Sequence, residues 1–124
     1  MVACAAPMPS QTYSEAARQA RRQADAEAAF REVLATSLAG LELCDRNLVT
    51  FHYFHGLTVD QLAEMFCRPR AAVVRQLSRI RERLLRETQR GLTARLMLTR
   101  PELARVLDLA RSRLDHAITR LLRA

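Results

Sequence analysis

The stretch Thr58 to Leu84, TVDQLAEMFCRPRAAVVRQLSRIRERL, constrains this chain more than any other. Its spacing predicts a short helix, a tight break and a longer, strongly basic helix. Thr58 can cap the first helix, and Gln61 three residues on completes the spacing of a capping box. Leu62, Ala63 and Phe66 give that helix an apolar face. Cys67-Arg68-Pro69 breaks it, because the residue before a proline is pushed out of the helical region. Pro69 then suits the first turn of the second helix, where its missing N–H costs nothing. Val73, Leu77, Ile80 and Leu84 recur at helical spacing and form one stripe. At about 100° per residue, Ala71, Arg75, Ser78, Arg79 and Glu82 fall on the other side.

A buried stripe backed by small and basic residues is what a helix needs to lie in a DNA major groove. The charge distribution agrees. All 20 basic residues are arginine, a usage that a GC-rich genome accounts for, and the chain carries a net charge of +7. Residues 68–100 hold ten of those arginines against Glu82 and Glu87, so this segment carries +8 and the rest of the chain sums to −1. Basic charge concentrated in one segment suggests a polyanionic partner.

A chain of 124 residues with 49% hydrophobic content, few Gly and Pro and no Trp predicts one small all-α helical bundle containing the helix-turn-helix. Residues 1–12 read as a disordered tail, with two prolines and little to bury. Residues 13–92 read as the helix-turn-helix domain and 93–124 as a C-terminal helical extension. Within the domain, Tyr13 to Leu38 is helical and ends at Gly40. Asp45 can cap a second helix, Arg46 to His55, whose Leu48, Val49, Phe51 and Phe54 can bury. Gly56 suits the left-handed position that closes it. Thr99 and Glu102 repeat the capping spacing and open a last helix. Leu103, Val106, Leu107, Ala110, Leu114, Ala117, Ile118 and Leu121 share one of its faces. Burial is expected for all the aromatic side chains except Tyr13.

Other chemistry finds little support. Cys4, Cys44 and Cys67 are an odd number without paired spacing, which argues for a reducing compartment. No signal peptide or membrane-spanning run is visible, so the bacterial cytoplasm is the expected location. Cys44, His52, His55 and Cys67 do not have the spacing of a known zinc site, and no metal or other cofactor is expected. No Ser/His/Asp set, phosphate loop or paired-carboxylate pocket appears, so no enzymatic activity is expected.

The order of these elements resembles region 4 of the sigma-70 family, and specifically the extracytoplasmic-function (ECF) sigma factors. That region typically has a helix closed by a Gly-Leu-Ser turn, an "IA" helix, and a helix with a Thr-Val-Lys-Ser-Arg-Leu core. Here Gly56-Leu57-Thr58 matches the turn, Leu62-Ala63 the pair, and Val73 and Leu77 the core. The last helix is similar to the C-terminal extension of a myxobacterial-type subfamily, on Ser112, Leu114, Asp115 and Arg120-Leu121-Leu122. The resemblance spans roughly residues 28–124. It implies recognition of the −35 element of double-stranded promoter DNA and docking on RNA polymerase core, with an anti-sigma factor as a further candidate partner. The DNA-facing residues it implies are Arg68, Arg70, Arg75, Gln76, Ser78 and Arg79. Ala72, Pro69 and Val74 stand where the family usually has Thr, Ser or His, and Lys, which removes polar contacts. The family's region 2, which melts and reads the −10 element, has no counterpart in these residues. The chain is therefore expected to be a piece of a longer sigma factor or a freestanding region-4 protein. In the latter case it would bind polymerase core or an anti-sigma factor without reading DNA.

Overall fold

Apolar residues at helical spacing decide the architecture. In the computed structural model, which describes residues 10–123, five α-helices pack into an all-α bundle: α1 (Ser10–Ala39), α2 (Leu43–Val49), α3 (Val59–Met65), α4 (Arg70–Arg95) and α5 (Arg100–Arg123). A π-helical turn, Thr50–Phe54, continues α2. The expected tail is helical over 10–12, and residues 1–9 lie outside the described residues. One core takes Leu34 and Leu38 from α1, Leu48 and Val49 from α2, and Leu62 from α3. To these it adds Val73, Leu77, Ile80 and Leu84 from α4 and Leu114 and Ile118 from α5. Burying each such side chain is worth about 1.5–3 kcal/mol against leaving it in water. No helix among the described residues is long and apolar enough to cross a membrane.

The stripe expected on α4 is buried in full, and the helix runs on to Arg95, beyond the expected end near Gly91. Leu85, Thr88 and Leu92 extend its buried face. Gly91 lets α1 and α4 touch at this end. A Cβ there would stand 2.5 Å from Val33 Cγ1 and 2.8 Å from Cγ2. Valine in a helix is nearly confined to one χ1 rotamer, so Val33 cannot swing aside. Gly91→Ala should therefore destabilise by about 1–3 kcal/mol as overpacking, even though alanine is the better helix former by about 1 kcal/mol. A urea melt of Gly91→Ala beside Gly91→Ala/Val33→Ala checks this. The second substitution should recover part of the loss, and a more stable Gly91→Ala would refute the contact.

α2 begins earlier than its sequence suggests. Arg46 N–H donates to Glu42 O at 2.8 Å, so Glu42, not Asp45, occupies the N-cap position. Asp45 is instead recruited by Gln76 of α4. The Arg46 guanidinium donates to Ala39 O at 2.6 Å and Leu41 O at 3.2 Å, satisfying carbonyls that the end of α1 leaves open. At the other end, His55 N–H donates to Thr50 O, the wider π-type bond. Gly56 follows at φ 71°, the left-handed turn expected there.

α5 folds back against the π-helical turn and α4. Ala110, Leu114 and Ile118 are its buried residues, whereas Leu103, Val106 and Leu107 are half-buried. A polar latch reinforces the contact. The Tyr53 hydroxyl donates to Asp115 Oδ1 at 2.7 Å, and Arg81 Nη1 lies 3.3 Å from the same oxygen. Burial, and then the Asp115 carboxylate, push the Tyr53 phenol above its ordinary pKa. Asp115 thus joins three elements.

Candidate nucleic-acid interface

The start of α4 is held by two local devices and one long-range chain of hydrogen bonds. The first device is the expected capping box of α3. Gln61 N–H donates to Thr58 Oγ1 at 3.1 Å, and Thr58 N–H donates to Gln61 Oε1 at 2.9 Å. The second is the turn out of α3, where Cys67 adopts φ 54° and Arg68 N–H reaches back to Ala63 O at 2.9 Å. A left-handed residue closed by such a bond is the Schellman ending usually given to glycine. Cysteine there costs roughly 1–2 kcal/mol of backbone strain. Pro69 then sits at the N-cap, one residue ahead of its expected place in the first turn, with its carbonyl accepting from Ala72 and Val73.

The long-range chain runs through Gln76. Its side-chain amide donates to Asp45 Oδ1 at 2.8 Å, while its oxygen accepts from Arg68 Nη1. Arg70 Nε donates to Asp60 Oδ1 of α3 at 2.8 Å. Three of the six expected contact residues are therefore engaged within the protein. Gln76 is half-buried and occupied at both ends, so it positions the turn. Arg75, Ser78 and Arg79 are exposed, and neither arginine has an ion-pair partner among the described residues. They lie opposite the buried Val73, Leu77, Ile80 and Leu84 stripe and point away from the core.

The remaining arginines of α4 divide the same way. Arg81 pairs with Asp115, Arg83 with Glu87 at 2.9 Å, and Arg95 with Glu32 at 2.7 Å. The Glu87 carboxylate raises the pKa of Arg83. Exposed pairs of this kind are each worth at most about 1 kcal/mol, but they neutralise charge locally. What remains is a line of exposed guanidiniums, Arg75, Arg79, Arg86 and Arg90, that have no ion-pair partner among the described residues. Arg86 and Arg90 belong to the basic segment of the sequence, which by charge alone assigns them to no surface. Their spacing of 11 and 15 residues from Arg75 places them on its face of a continuous helix.

A second exposed feature lies beside the α3–α4 turn. Phe54 is 40% exposed, Met65 46% and Phe66 36%, contrary to the burial expected of both phenylalanines. The half-buried Phe51 meets Phe66 edge-on at 6.0 Å between ring centroids, and Phe54 meets His55 at 4.9 Å. The expected apolar faces hold for Leu48, Val49 and Leu62 but turn outward at their ends. The reasons are geometric. At about 100° per residue Phe54 stands about 120° and 140° round the helix from Leu48 and Val49, and Phe66 ends α3 at its C-cap.

Cys44, His52, His55 and Cys67 do not assemble, and no three His, Cys, Asp or Glu side chains among the described residues gather around a possible ion site. His52 Nδ1 is instead 2.8 Å from Leu57 O. No family model, curated protein or solved structure matches the chain.

Proposed function

We propose that this chain is a non-enzymatic transcription protein of the bacterial cytoplasm. In this reading it binds the −35 element of double-stranded promoter DNA through α4 and associates with RNA polymerase core, as an ECF-type sigma factor or part of one. The observation that carries the proposal is the outer face of α4, where neither Arg75 nor Arg79 has an ion-pair partner among the described residues. Arg75, Ser78 and Arg79 stand exposed over the buried stripe, while acidic residues occupy the arginines beside them. Arginine is the residue most often found bidentate on guanine in the major groove. The short α3, tied to the start of α4 by Asp60 and Arg70, suits the supporting helix of such a reader.

The exposed Phe54, Met65 and Phe66 favour a second reading, an interaction module that binds polymerase core or an anti-sigma factor without reading DNA. Surface phenylalanine and methionine are enriched at protein interfaces. Titration of the protein into a promoter-library duplex at several salt concentrations separates the two. The first reading expects selection of a preferred duplex, with log K falling linearly as log salt rises. Absence of duplex binding at low salt would leave only the second.

A further inference from the structure

The outer face of α4 is longer than a set of base contacts requires. At a rise of about 1.5 Å per residue, Arg75 to Arg90 spans about 22 Å. Glu82 lies on the same face and divides the line into two pairs, Arg75 with Arg79 and Arg86 with Arg90. The major groove is only about 12 Å wide. With Arg79 over base edges, Arg86 and Arg90 stand about 10 and 16 Å further along the helix, over the phosphate wall or beyond it.

We propose that Arg86 and Arg90 form a second, sequence-blind contact that holds the backbone phosphates of the duplex whose bases Arg75 and Arg79 read. This rests on the DNA reading above. Three observations support it. All four side chains lie on one face of one continuous helix, so a single straight partner can meet them together. Arg81 and Arg95, which point elsewhere, and Arg83, at the edge of this face, have acidic partners, whereas Arg86 and Arg90 have none among the described residues. A duplex offers about one negative charge per 1.7 Å of axis, and the guanidinium fork matches a phosphate in two parallel hydrogen bonds. Glu82 separates the two functions, because its carboxylate repels the phosphate chain between them.

The test uses the whole chain with a preferred duplex and a scrambled one, each at several salt concentrations. Arg86→Ala/Arg90→Ala should weaken both duplexes by the same factor and leave their affinity ratio unchanged. It should also flatten the slope of log K against log salt by about 1.8, at about 0.9 for each phosphate no longer neutralised. Arg75→Ala/Arg79→Ala should instead shrink the affinity ratio. Glu82→Gln should strengthen both duplexes alike. All these positions are exposed, so unchanged thermal melts should accompany the weaker binding. An unaltered salt slope in Arg86→Ala/Arg90→Ala, with Arg75→Ala/Arg79→Ala still impaired, overturns the second contact alone and leaves an acidic protein surface as the partner of that pair. A changed affinity ratio overturns its sequence-blind character. Failure of the wild type to bind either duplex overturns both this inference and the DNA reading.

Discussion

Leu114→Ala should destabilise the isolated protein by about 2–5 kcal/mol, the range for truncating a buried leucine. Leu114 is 0% exposed and sits in the common core with Leu84 and Ile118. The loss combines the transfer free energy of the removed carbons with the cavity left behind, which helices latched by Tyr53, Asp115 and Arg81 cannot easily collapse. Leu107→Ala, on the same face two turns earlier, should cost clearly less, because its side chain is only half-buried. Their spacing alone treats the two leucines alike. Urea melts give both values from the shift in midpoint at constant m-value. Equal effects would mean that α5 is packed uniformly along its length. A Leu114→Ala effect within about 0.5 kcal/mol, the size of an ordinary surface change, would mean that α5 does not pack on the bundle in solution.

On a preferred duplex, Arg75→Ala and Arg79→Ala should each cost about 1–3 kcal/mol where the guanidinium bonds a base edge, with discrimination relaxed at the corresponding base pair. Arg70→Ala should cost less, because a DNA contact by Arg70 competes with its exposed Asp60 pair across the α3–α4 turn, worth at most about 1 kcal/mol. The structure thus ranks residues that the family resemblance offers as equals. Anisotropy titrations of the single variants against a set of point-substituted duplexes give the ranking. If Arg70→Ala proves as damaging as Arg75→Ala and Arg79→Ala, the Asp60 contact does not restrain Arg70 when DNA is present. If Arg75→Ala and Arg79→Ala leave affinity unchanged at low salt, the outer face of α4 is not the contact surface.

Local spacing was enough for much of this molecule. The all-α class, the break at Cys67 to Pro69, the Thr58–Gln61 capping box and the left-handed Gly56 all follow from residues within a turn or two of each other. So does the buried stripe of α4, because helical periodicity needs no information from elsewhere in the chain. What the spacing could not show is which polar side chains find one another. Asp45 reads as a cap until Gln76, 31 residues away, takes its carboxylate. Asp115 bonds Tyr53 across 62 residues. Arg95 meets Glu32 because α1 and α4 lie side by side. The same limit governs the aromatics, since an apolar face predicts burial only if another element arrives to cover it, and Phe54 and Phe66 are left partly uncovered. The sequence by itself therefore determined the helices and the segment that carries the basic charge. The Arg83–Glu87 pair follows from i,i+4 spacing within α4, but only tertiary packing decided that Arg70, Arg81 and Arg95 are paired, because their partners come from other helices.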